Sequence, residues 1–124
     1  MSHEVGTIRI SRQGRDQLIK LKRATGIKNW NVLCRWALCV SLADATIPII
    51  RGDAGDSNIE MSWRTFSGSE STALLSLLTI RAEAEARDIA SVAHSHIHRG
   101  IGHLAGVISR DGSIEDLLRA VTQA

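Results

Sequence analysis

No apolar run in this chain approaches the roughly 20 residues that a membrane-spanning helix needs, so a helical membrane protein is not expected. The opening residues, MSHEVGTIRI, lack the basic segment followed by an apolar one that marks a secretory signal. Cysteine is scarce, with Cys34 and Cys39 alone. Helical positions five apart point about 140° away from each other, which excludes a bridge or a zinc pair between them. Both are expected to be buried free thiols in a reducing cytoplasm. There is one proline, Pro48, no internal repeat and no low-complexity tail. A nucleophile–base–acid set, a glycine-rich phosphate loop and paired carboxylates with a reason to titrate are all missing from the pattern. The residues therefore give little support to catalysis by this chain and imply no cofactor.

What is present fits one globular domain over residues 1–124, long enough to bury a real core, with 44% hydrophobic residues and a mean hydropathy of −0.01. The net charge of +2 hides a division. Residues 1–36 carry eight basic side chains (Arg9, Arg12, Arg15, Lys20, Lys22, Arg23, Lys28, Arg35) against Glu4 and Asp16, which is +6. Residues 37–124 carry seven basic and eleven acidic side chains, which is −4. A positive N-terminal surface on a nearly neutral body is implied.

Along the chain, Thr7-Ile8-Arg9-Ile10 alternates as a short strand. Ser11 suits the N-cap of a helix over about 12–25, which Gly26 stops as a left-handed residue. Asn29 can cap a second helix from Trp30 to about Ala43, with Val32, Leu33, Trp36, Ala37, Val40 and Ala43 as its apolar positions. Pro48 and the run Gly52–Asn58 are turn chemistry, and Ile59–Trp63 alternates as a possible strand. Ser69 or Ser71 caps a third helix bearing Ala73, Leu74, Leu77, Leu78 and Ile80. The stretch RAEAEAR (81–87) either continues it or holds a break. A fourth helix runs from about Asp88 to Ile108 on the stripe Ile97, Ile101, Leu104, Ile108. Arg110-Asp111-Gly112 reads as a turn before a short last helix that starts at Ser113. The expected fold is mainly α, a small helical bundle with one or two short strands.

All three lysines, Lys20, Lys22 and Lys28, and two of the three tryptophans, Trp30 and Trp36, fall within residues 19–36. On a helical wheel Leu18 and Leu21 share a face with Gly14 and Thr25. Arg12, Arg15, Lys20, Lys22 and Arg23 spread over the other half, with Ile19 in its middle. That isoleucine is either a contact for a partner subunit or a bent loop, or a stray exposed apolar residue. Two readings of the basic half stand side by side: a solvated face beside core tryptophans, or a surface for a polyanion. A phosphate backbone asks for such a surface, because Lys and Arg release its counterions, and helix-start amides near Asn29, with Asn29 and Asn31, add uncharged contacts. Trp36 has core spacing. Trp30 suits core, a subunit contact or stacking on an unpaired base.

The histidines His94, His96, His98 and His103 suggest metal ligation, but helical geometry opposes it. His94 and His98 share one face while His96 and His103 share the opposite one, so at most two converge where a tetrahedral site needs more. Gly100 and Gly102 each cost a helix about 1 kcal/mol relative to alanine, which points to close approach by another backbone, in a neighbouring helix or a second subunit. Arg99 beside them suits an acidic partner or a phosphate.

Two stretches, RISRQGRDQLIKLKRATGIKNWNVLCRWALCVSL (9–42) and HIHRGIGHLAG (96–106), followed by SIEDLL (113–118), together resemble the DNA sulfur modification family DndE. Residues 45–95 match it only in outline, and His103 stands where an aromatic such as tyrosine is expected. The resemblance implies a small, helical, cytoplasmic and tetrameric protein of the bacterial phosphorothioation machinery, a restriction–modification type of system. It implies binding to double-stranded DNA, with a preference for nicked DNA, through lysines that here are Lys20, Lys22 and Lys28. Arg12, Arg15, Arg23 and Arg35 join them on charge grounds alone. It also implies that the sulfur chemistry belongs to partners: a cysteine desulfurase, an iron–sulfur protein and an ATPase-like component. Self-association is expected through apolar surface and the glycine-containing helix. Three rivals remain: a metal-dependent nickase using Asp53 and Asp56, a ribbon-helix-helix regulator built on residues 7–43, and a protein-only adaptor.

Overall fold

The computed structural model describes residues 5–49 and 56–111. Its elements are β1 (Thr7–Ser11), α1 (Arg12–Thr25), α2 (Trp30–Leu42), β2 (Asp56–Ser62), α3 (Trp63–Ser67), a 3-10 turn (Gly68–Glu70), α4 (Ser71–Glu85) and α5 (Ile89–Asp111). The fold is mainly α with one two-stranded sheet, as the patterning implies.

The core is built on α5. Its stripe Ile97, Ile101, Leu104, Ile108 is buried, with Val92 and Ala93. Against it lies α2, antiparallel to α5, since Ala37 meets Gly100 and Ser41 meets His96. A Cβ on Gly100 would stand 1.8 Å from the Ala37 carbonyl oxygen, so only glycine lets the two backbones come this close. That glycine is thus used inside the chain and not for self-association. Gly102 has only the Gln17 side chain near it, at 3.7 Å. α1 runs alongside α5 in the same direction, from Gly14 near His98 to Lys20 near Ser109.

β1 pairs antiparallel with β2, Ile8 opposite Met61 and Arg9 opposite Glu60, with a register shift between Arg9 and Ser11. Ile8, Ile10, Ile59 and Met61 point into the core. The strand's ladder is made within one chain, unlike the two-chain ribbon of a ribbon-helix-helix dimer.

Several expectations shift. Residues 56–58, read as turn, begin β2, and Trp63, read as strand, opens α3. The Ser62 hydroxyl accepts from the Thr65 amide at 3.1 Å and so starts that helix. The buried positions of α2 are Leu33, Cys34, Ala37, Leu38, Val40 and Ser41. Of the expected apolar positions Leu33, Ala37 and Val40 are buried, Val32 and Trp36 are half-buried and Ala43 is exposed, while Leu38 and Ser41 are buried in addition. Cys34 is buried as expected, and burial pushes its thiol up to about 12. Cys39 is exposed, against expectation, since it lies on the outer side of the same helix. In α4, Leu74 and Leu78 are buried while Ala73, Leu77 and Ile80 face outward. RAEAEAR both continues α4 and ends it, at Ala86 with φ 55°. Arg110 and Asp111 lie in the last turn of α5, not in a loop. The turn at Gly112 and the short helix from Ser113 lie outside the described residues. No helix among the described residues is long and apolar enough to cross a membrane.

Candidate nucleic-acid interface

α1 is fixed at both ends by its own sequence. The Ser11 hydroxyl accepts from the Gly14 amide at 3.1 Å, satisfying one of the first-turn donors. At the other end Gly26 takes φ 74° and donates its amide to the Lys22 carbonyl at 2.9 Å. Thr25 braces the turn by donating to the Leu21 carbonyl at 2.7 Å and accepting from the Ile27 amide at 3.1 Å. Gly14, Leu18 and Leu21 are buried and Thr25 is half-buried, so the wheel's inward face is the real one.

The opposite half therefore faces out. Arg12, Arg15, Lys20, Arg23 and Lys28 are exposed and Lys22 is half-buried. None of these six lies within ion-pair distance of a carboxylate among the described residues. Lys20 and Lys22 stand at the two edges of that half, about 160° apart around the helix. Each is steadied by a neighbour. Lys20 Nζ donates to Ser109 Oγ of α5 at 3.2 Å, and Lys22 Nζ sits 4.1 Å from the centroid of the Trp30 ring. The half-buried Trp30 packs on the core from its other side, as does Trp36. Ile19 is half-buried between the cations. Lys28 and Asn29 occupy the exposed turn before α2, where the Asn29 side chain makes no cap bond. Asn31 donates its side-chain amide to the Thr65 carbonyl at 3.2 Å.

Arg35 stands apart from the six. Its guanidinium donates to the Phe66 and Ser67 carbonyls at 3.3 and 3.1 Å and lies against Gly68, so it closes the end of α3. Arg99 is likewise committed inside the molecule. It donates to Ser41 Oγ at 2.8 Å, to the Ser41 carbonyl at 2.9 Å and to Thr46 Oγ1 at 2.8 Å. With Arg81 it satisfies the last carbonyls of α2. Hydrogen bonds from Thr46 lower the pKa of the Asp44 carboxyl, and the Arg99 charge also helps to lower it.

A second cluster escaped the sequence reading. Ser41 Oγ lies 2.7 Å from His96 Nδ1, and His96 Nε2 lies 2.7 Å from Glu85 Oε2. Serine, histidine and acid follow one another as in a hydrolase triad. Yet Ser41 and His96 are 3% and 0% exposed, and the hydroxyl also accepts from Arg99, which leaves no nucleophile open to a substrate. With Ser41 donating to Nδ1, the imidazole donates its Nε2–H to Glu85 and is neutral. Desolvation holds the His96 pKa below its ordinary value, against the raising influence of Glu85. Burial alone would raise Glu85, but hydrogen bonds from Arg87 and His96 outweigh it and hold the carboxyl below its usual range. This chain of bonds ties α2, α4 and α5 together. Its partners come from three separate elements, which is why spacing did not reveal it.

The other histidines divide differently. His94 and His98 share a face with rings 4.2 Å apart, and His98 accepts from the Ser11 amide at 3.1 Å, tying α5 to the cap of α1. His103 is exposed while His96 is buried, although the wheel puts them on one side. Among the described residues no three of His, Cys, Asp and Glu gather as metal ligands. Asp53 lies outside the described residues, and the backbone of Asp56 opens β2.

The family model for DNA sulphur modification protein DndE matches residues 7–111, which span every element above. The chain belongs to the DndE family. Among solved structures it is similar to DndE from Escherichia coli B7A, a protein involved in DNA phosphorothioation modification, with 25% identity and a TM-score of 0.63 over 83% of this chain and 99% of that one. It shares the fold of a DndE double glycine-to-lysine mutant involved in DNA phosphorothioation, with 20% identity and a TM-score of 0.58 over 79% and 96%. No curated protein matches it. Membership in DndE connects this chain with DNA sulfur modification and makes the other components of that system its natural associates.

Proposed function

We propose that this protein is the non-catalytic DNA-binding subunit of a phosphorothioation system, and that it holds the duplex by its sugar–phosphate backbone. The observation that carries the reading is the outward half of α1 with the turn after it, where Arg12, Arg15, Lys20, Lys22, Arg23 and Lys28 have no carboxylate neighbour among the described residues. A run of cations without carboxylate partners among the described residues favours an external anion, and a phosphate backbone supplies negative charge at regular spacing. Backbone contacts position a protein without reading sequence. A nick leaves the duplex easier to bend over a convex helix, which supports a preference for nicked DNA. Arg35, spent on α3, is the weakest of the seven cations for this role. The protein works as a cytoplasmic homo-oligomer, a tetramer, beside the cysteine desulfurase, the iron–sulfur protein and the ATPase-like component that move the sulfur.

The test is fluorescence anisotropy of Lys20→Glu/Lys22→Glu/Lys28→Glu on intact and nicked duplexes of unrelated sequence. The triple variant is expected to lose at least tenfold in affinity on every sequence with an unchanged circular dichroism spectrum. Wild-type affinity for nicked duplex in that variant would refute this assignment of the surface.

A further inference from the structure

Two opposite faces of α4 are apolar. Leu74, Leu78 and Ala82 enter the core. On the other side Ala73, Leu77, Ile80 and Ala84 follow at intervals of four, three and four residues. Leu77 is 49% and Ile80 67% exposed, and both alanines are exposed as well. The other large hydrophobics in the open, among the described residues, are Ile47 at 55% and Ile49 at 81%. The loop carrying them is fastened beside α4, because Arg81 donates to the Asp44 and Leu42 carbonyls. Along the other flank of α4 runs a shallow groove lined by Thr72, Leu75, Ser76, Thr79 and Ile80, all from this one helix.

The 4-3-4 spacing is that of a seam between two helices crossing at about 20°. No charged residue interrupts it. Its order, small–large–large–small, reads the same in both directions. A two-fold contact requires a patch that matches itself. An antiparallel copy would place Leu77 against Ile80 of the partner subunit and alanine against alanine at both ends. One face of a helix about 22 Å long is smaller than the roughly 800 Å² per partner of a standard interface. Ile47 and Ile49, on the loop whose start Arg81 fastens to α4, offer further exposed apolar area.

We infer that α4 is a self-association surface, pairing antiparallel with α4 of a second copy while Ile47 and Ile49 close the edge. This rests on the proposed self-association and names the surface that performs it; α1 stays free for DNA.

The test is the mass in solution, by light scattering, of wild type and of Leu77→Glu/Ile80→Glu. Alongside it, Leu77→Cys and Ile80→Cys proteins, both with Cys39→Ser, are mixed and oxidised. Both substituted positions are exposed, so the helical spectrum is expected to persist. The expected results are a smaller assembly for the double glutamate variant and a preferred disulfide between the two different cysteine variants. An unchanged mass in the double glutamate variant overturns the interface and leaves self-association standing. A monomeric wild type overturns both. A lowered melting temperature with unchanged mass also overturns it, because the face is then covered by the chain's own residues.

Discussion

At the scale of single residues, two glycines of α5 make opposite predictions. Gly100 meets Ala37 at a distance no Cβ tolerates, whereas a Cβ on Gly106 meets nothing within 4 Å. Gly100→Ala must push α2 from α5, and a loss of about 1–3 kcal/mol or more is expected from such overpacking. Gly106→Ala relieves the helix of a poor former and should gain up to about 1 kcal/mol. Urea unfolding of the two variants checks both signs. The buried Glu85–His96 pair predicts the response to acid. Both folded-state pKa values lie below the ordinary ones, so each group adds stability above its unfolded value and loses it as pH falls. For His96 the loss begins below about 6.5, when unfolding lets the imidazole protonate, and for Glu85 it follows below about 4.3. The melting temperature should be level from pH 8 to 7 and fall from there to pH 4. Glu85→Ala, which strands Arg87 and His96, should cost about 3–5 kcal/mol at neutral pH.

At the scale of elements, α1 is the part most plainly written in local sequence. Its cap at Ser11, its stop at Gly26 and its buried Leu18 and Leu21 are all short-range signals. Ser11→Ala should lower stability by about 1 kcal/mol in thermal melts, through the lost bond to the Gly14 amide. The stripe of α5 and the need for glycine at 100 were equally legible. α3 was not, because five residues carry too little periodicity to stand out from the strand before them. In α2 the burial of Leu33, Cys34, Ala37 and Val40 was legible, whereas that of Leu38 and Ser41 was not; Ser41 is turned inward to His96 of α5, a tertiary choice that spacing within α2 does not contain. The outward side of α1 was legible as a charge pattern. That Arg35 and Arg99 serve backbone carbonyls was not, since their acceptors lie 31 to 58 residues away in the chain.

At the scale of the whole molecule, the bundle separates its surfaces. α5 is the central support, α1 shows cations to the outside, and α4 shows hydrocarbon. On the function proposed above, such a subunit brings DNA and like subunits together while its partners carry the sulfur chemistry. The most direct measurement is the dependence of duplex affinity on salt, for wild type and for the Lys20, Lys22 and Lys28 triple glutamate variant. Each phosphate contact contributes about 0.9 to the slope of log affinity against log salt. If the three lysines touch phosphates, the wild-type slope is steep and the variant's is shallower by about 2.7. Equal slopes in the two proteins would contradict the account.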